Sequence, residues 1–172
     1  IGSASNNGGE NGLYISDDNG TSNAYSTGSI AFVYAYRTIN FPANSDYIVS
    51  FDWKANGESD YYDYIRAWIV PASFAFTPGQ LPNGVSNLYD FYSVTPEGWI
   101  SLDENSSMNQ VTTWQNKSQA LSVPAGLYNV VFLWANDGSV GDQPPASIDN
   151  ISVTQITCPT VANITATATQ NT

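Results

Sequence analysis

The chain has 172 residues, 42% of them hydrophobic and only 11% charged, which makes it a folding sequence rather than a disordered acidic one. Its 4 Lys and Arg against 15 Asp and Glu give a formal charge of -11, so its surface repels nucleic-acid phosphates and anionic lipid headgroups. Histidine is absent, which removes Ser-His-Asp and Cys-His nucleophiles, His-ligated zinc and the usual general base near neutral pH.

Read in chain order, the first turn signal is Ser16-Asp17-Asp18-Asn19-Gly20. The first strand expected is Ser29 to Ile39, with a period of two that puts Ile30, Phe32, Tyr34 and Tyr36 on one side, facing a core. Tyr47 to Ala55 repeats the alternation through Tyr47, Val49, Phe51 and Trp53. Tyr62 to Val70 follows across the polar turn from Asn56 to Asp60, and the two segments are expected to form an antiparallel hairpin. Ser73 to Tyr92 is irregular, a long loop with one short helical turn around Val85 to Phe91, and is the expected seat of variable recognition. Further strands are expected at Gly98 to Leu102, Val111 to Val123, Leu127 to Ala135 and Ser147 to Ile156, with prolines falling between the runs. Many strands without alternating helices predict an all-β chain, an antiparallel jelly-roll β-sandwich over residues 1–156. Residues 157–172 read as a linker and the truncated start of a further β domain, similar to the opening of a fibronectin type III repeat.

The compartment is expected to be extracellular or the cell surface, because Asn, Ser, Thr and Tyr carry the polar surface in place of charge. The single cysteine, Cys158, leaves no internal disulfide framework. No run reaches the roughly 18 apolar residues of a membrane helix, so direct membrane insertion is not expected. No signal peptide opens the chain, which reads as a mature or trimmed form.

Catalysis without histidine leaves a carboxylate pair of the glycosidase kind, roughly 5 to 10 Å apart, for which Glu58 with Asp63 or Glu97 with Asp103 are the pairs to examine. A hard cation suits the chain better, because calcium takes about six to eight oxygens from carboxylates and carbonyls. Asp149 is the leading ligand, since its side chain points away from the Ile148 side of its strand, and Asp17 and Asp18 are expected to join it as early and late strands meet. The competing reading for all three is ordinary turn chemistry and a solvated edge carboxylate. Asn136 to Asp142 alternates oxygen side chains with glycine but lacks the spacing of an EF-hand, and reads as an Asx-type turn. Trp53, Trp68 and Trp134 sit within alternating runs and are expected in the core. Trp99, Tyr61, Tyr62, Tyr89 and Tyr92 fall at turns or loops and are the candidate ligand-binding aromatics, since flat rings beside amides and carboxylates suit the apolar faces and hydroxyls of sugars.

Three blocks, Ser50-Phe51-Asp52-Trp53, Phe132 to Ser139, and Pro144-Pro145-Ala146-Ser147-Ile148-Asp149-Asn150-Ile151, resemble the cleaved-adhesin and choice-of-anchor domains of Bacteroidetes-type surface proteins and, more distantly, MAM-type jelly rolls. The resemblance spans roughly Gly12 to Thr154. It implies a jelly roll in a secreted adhesin or protease, with structural calcium and an acidic ligand at the position of Asp149, and names no ligand. The function expected is a non-catalytic binding or adhesion module of a multidomain protein, taking a glycan or a host or surface protein and touching neighbouring domains of its own chain. The alternatives are a structural spacer and an ancillary module of a secreted glycoside hydrolase or protease.

Overall fold

A computed structural model describes residues 1–59 and 61–157. Eight strands, β1 (Leu13–Tyr14), β2 (Ala31–Phe41), β3 (Ser45–Ala55), β4 (Tyr64–Pro71), β5 (Ile100–Ser101), β6 (Val111–Val123), β7 (Gly126–Asn136) and β8 (Ser147–Gln155), form two four-stranded sheets, with one helix, α1 (Leu88–Phe91), between β4 and β5. The orders are β1-β8-β3-β6 and β2-β7-β4-β5, every pairing antiparallel. Strands that alternate between sheets in this order make a jelly roll, so the expected architecture stands on the chain's own connectivity.

The expected hairpin between Tyr47–Ala55 and Tyr62–Val70 is not formed. β3 pairs with β6 and β8, whereas β4 pairs with β7 and β5, and the turn after Ala55 crosses from one sheet to the other. The reason lies in β4 itself. Ile65, Ala67 and Ile69 face the core between the sheets, while Tyr64, Trp68 and Val70 belong to a second apolar cluster on the opposite face. A strand buried on both faces needs a strand neighbour on each side and a covering layer, which a two-stranded hairpin does not supply. β7 is built the same way, with Val130, Phe132 and Trp134 inward and Val131, Leu133 and Ala135 outward.

The covering layer is the long loop. Phe74, Phe76, Leu81, Val85, Tyr92 and Trp99 pack on the outer cluster, and Leu88 and Phe91 of α1 plug it. This corrects the assignment of β2: Phe32 and Tyr34 face the outer cluster and not the inter-sheet core, Tyr36 is 56% exposed, and Ile30 lies outside the strand and is 64% exposed. Ile39 and Phe41, of the other phase, reach the inter-sheet core. Phe76 lies over β2, 4.9 Å from Tyr34 and 5.3 Å from Tyr36 by ring centroid. Phe51, Trp134 and Phe132 are in the inter-sheet core with Trp53 packed against it, and Trp68 is fully buried in the outer one.

One ion pair holds the layers together. Arg66, fully buried on β4, donates from Nε to Asp103 Oδ2 at 2.6 Å and from Nη2 to Oδ1 at 3.2 Å, and from Nη1 to the carbonyls of Phe91 and Val94. Asp103 also accepts from Ala67 N–H and Ser101 Oγ–H, so the carboxylate is saturated by donors. Among the described residues no helix is long and apolar enough to cross a membrane.

Candidate functional site

Four of the five expected ligand-binding aromatics converge. Tyr61 and Tyr62 close the crossover before β4, and Tyr89 and Tyr92 stand on and just after α1. The helix starts at Asn87, whose Oδ1 accepts from Asp90 N–H at 2.8 Å. With Leu88 and Phe91 turned into the outer core, Tyr89 faces solvent, while Tyr92, just past the helix, packs partly on that core. Phe91 stacks on Trp68 at 4.9 Å, and the carbonyl of Leu88 accepts from Tyr64 Oη at 2.7 Å, so the helix is held from below. Tyr61 then lies 4.7 Å from Tyr62, 5.8 Å from Tyr89 and 5.4 Å from Tyr92 by centroid, and Tyr62 lies 5.7 Å from Tyr89. Tyr89 remains 48% exposed, and the other three are half-buried. Trp99 is not part of this group. Its ring packs edge-on against Trp68 at 5.3 Å and Phe74 at 5.0 Å, within the covering layer.

Glu58 and Asp63, which flank Tyr61 and Tyr62 in the chain, and Asp137 bring one oxygen each within 4.8 Å of one another. Asp63 is fully buried, accepts from Tyr25 Oη–H at 2.6 Å and from Asp137 N–H at 3.2 Å, and burial pushes its carboxyl up to about 6 against the opposing pull of the Tyr25 hydrogen bond. Desolvation, then the charge of Asp137, also raises Glu58, whose Oε2 is buried with no hydrogen-bond partner. The backbone is drawn in tightly: a Cβ on Gly141 would lie 2.5 Å from Asp63 Oδ2, and one on Gly57, at φ +68°, would lie 2.8 Å from the Asp63 carbonyl. Sequence reasoning paired Glu58 with Asp63 and, for the Asn136 to Asp142 loop, favoured an Asx-type turn over a cation site. Asp137 makes such a turn, its Oδ1 accepting from Ser139 N–H at 2.9 Å, and also joins the carboxylate group.

The acidic residues expected to share a metal are not brought together. β1 meets β8 with Leu13 opposite Ile148, so early and late strands do join. That register sets Asp149 level with Gly12, whereas Asp17 and Asp18 lie past the end of β1 in a turn of their own. Asp149 instead accepts from Asn7 N–H at 2.6 Å and sits across from Asp52, whose carboxylate accepts from Asn7, Asn116 and Asn150. Asp18 is held within its own turn by Ser16, Ser22 and Thr21, which lower it to about 2. Asp17 gives its N–H to the Ala24 carbonyl. Of the second catalytic pair, Asp103 is consumed by Arg66 while Glu97 is exposed.

An apolar cleft of about 1010 Å³ opens elsewhere, between β2 and β8, lined by Ile39, Phe132, Ile151 and Val153 among others. No family model matches the chain, and no curated protein matches it. Among solved structures it is similar to the CBM35 from Cellvibrio japonicus Abf62, at 14% identity over 92% of this chain and 88% of that one, with a TM-score of 0.33.

Proposed function

We propose that this domain is a non-catalytic glycan-binding module of a secreted or surface protein, and that it binds through Tyr61, Tyr62, Tyr89 and Tyr92. The observation that carries the reading is the convergence of these four rings at the surface on two segments far apart in sequence. Phenol rings offer an apolar face to sugar C–H groups and a hydroxyl to sugar oxygens. Hydrolysis is a poorer fit, because a glycosidase needs both carboxyl groups open to the scissile bond and Asp63 has no exposed surface. A glycan array followed by titration of the best ligand tests the proposal. Tyr62→Ala and Tyr89→Ala are expected to weaken binding about tenfold each, a loss of about 1.4 kcal/mol, with the fold intact. Binding to no glycan, or unchanged binding by both variants, would assign the domain to protein adhesion or to a spacer.

Calcium belongs to the same proposal as a structural ion. The donors Glu58, Asp63 and Asp137 fit it, since a hard cation would satisfy the orphaned Glu58 oxygen and the mutual repulsion of the three carboxylates. The alternative donors are Asp149 and its neighbour Asp52. Chelation is expected to lower the melting midpoint, and whichever of Asp63→Asn or Asp149→Asn removes the chelator effect identifies the set. An unchanged midpoint on adding chelator to protein first loaded with calcium would reject both.

A further inference from the structure

The two sheets close unevenly along one side of the sandwich. β8 has β3 on one edge, and on its other edge β1 covers only Ser147 and Ile148. Asn7 extends that cover to the side chains of Asp149 and Asn150. Among the described residues, no strand lies beside residues 151–155 on that edge. The open backbone groups follow from the ladder. Ile156 N–H bonds the Asp46 carbonyl, and Thr154 stands opposite Ile48 and Ser152 opposite Ser50. The alternation of an antiparallel pair then turns the N–H and C=O of Val153 and Gln155 away from β3, to the open side.

This edge borders the apolar cleft of about 1010 Å³, whose other wall is residues 34–39 of β2. Ile39 and Val153 line it where they pack on the inter-sheet core, and Ile1, Tyr36 and Ile151, all exposed, add further apolar surface. None of its lining residues belongs to the group of four tyrosines.

Arg37 decides what the cleft takes. It stands opposite Val130, which faces the inter-sheet core, so its side chain points to the cleft side of β2. Of the 4 basic residues, Arg66 is bonded to Asp103, Lys117 to Glu104, and Lys54 lies over the Trp114 ring, whereas Arg37 has neither a carboxylate nor a ring among the described residues. An inward charge on an edge strand wards off a strand adding to that edge, so β2 is not the edge to extend. Residues 151–155, Ile-Ser-Val-Thr-Gln, carry no charge.

We infer that an extended segment of a separate protein docks in this seam. It pairs as a strand with residues 151–155, seats alternate apolar side chains in the cleft and sets one carboxylate against Arg37. A wholly apolar segment would leave the guanidinium facing it without a partner. A strongly acidic one is repelled by the formal charge of -11. The class is therefore a strand of apolar and hydroxyl side chains with a single Asp or Glu.

Capped peptides of about eight residues span the ~17 Å of residues 151–155. The set alternates Val and Thr with one Glu stepped through the Val positions, and its controls carry Gln or Lys in place of Glu, or Pro in place of Thr. Titrated into the intact chain, the best Glu peptide is expected to bind about tenfold more tightly than its Gln form and to exceed its Lys form by more. The Pro form is expected not to bind, and the amides of Val153 and Gln155 to gain protection from hydrogen exchange with the Glu peptide. Arg37→Gln should abolish the preference for Glu and Ile151→Asp the binding of every peptide, with the fold kept because both side chains are exposed. Tyr62→Ala should change neither. Equal affinity for the Glu and Lys forms, binding that survives Ile151→Asp, or no binding by the whole set overturns the inference. Binding seen only after removal of residues 158–172 gives the seam to the chain's own tail, self-association abolished by Ile151→Asp gives it to a second copy, and binding of laurate without binding of peptide gives it to a lipid. Each of these three results rejects a partner strand.

Discussion

Asp63 gives the molecule a pH dependence of unusual sign. Its carboxyl is raised from 3.8 to about 6, chiefly by burial, so the folded state holds this proton more tightly than the unfolded chain does. For this group stability is greatest below the unfolded value and is lost as pH rises through the folded one, with a slope of at most about 1.4 kcal/mol per pH unit. Asp18, lowered to about 2 by Ser16 and Ser22, acts in the opposite direction, and its contribution is lost as pH falls below the unfolded value. Urea unfolding of chelator-treated protein is therefore expected to show greater stability at pH 4.5 than at pH 7.5, and Asp63→Asn to flatten that difference. A wild-type protein more stable at pH 7.5 would show that the carboxylate is compensated. Arg66 poses a separate test, because Asp103→Ala would leave a guanidinium buried and unpaired at a cost of about 3 to 5 kcal/mol. The double change Arg66→Met with Asp103→Leu is expected to recover much of it, as measured in the same unfolding series.

What could be read from the sequence differs from strand to strand for a physical reason. β3 alternates between core and solvent, so Tyr47, Val49 and Phe51 showed their face directly. β6 was also found end to end, at Val111–Val123. β2 misled because its aromatic phase is covered by the long loop, and period two shows that a face is apolar but not which layer covers it. β4 and β7 are apolar on both faces and carry no phase at all. β1 has only two residues, too short for any period. The tyrosine site was legible as surface aromatics, yet its assembly depends on α1 approaching the crossover, and that contact has no sequence signature. The same layer argument makes the loop a structural element as well as the proposed recognition element. Phe91→Ala is expected to cost about 3 to 5 kcal/mol, whereas Tyr89→Ala, two residues away on the exposed side, should stay within about 0.5 kcal/mol. Equal costs for the two would remove the distinction between the face that packs and the face proposed to bind.

At the scale of the molecule, the three-layer build decides where the folding unit ends. Among the described residues, both apolar clusters draw on none later than Val153, and the last backbone bond of the sandwich that we describe runs from Ile156 N–H to the Asp46 carbonyl at 2.8 Å. Thr157 is exposed, and residues 158–172, assigned from sequence to a linker and the start of another domain, lie outside the described residues. If the tail covers no layer of the sandwich, the proposed boundary at residue 156 has a direct thermodynamic consequence. A chain of this size shifts its melting midpoint by roughly 2 to 4 °C per kcal/mol. Removing residues 158–172 is expected to leave the midpoint within about that range, and to leave the oligosaccharide affinities unchanged. A fall of more than about 5 °C would mean that the tail covers part of the sandwich, with the open apolar cleft between β2 and β8 as the surface to probe by Val153→Asp in the full chain. If the tail does seat there, that substitution would reproduce the loss, and trimming the substituted chain would add nothing further.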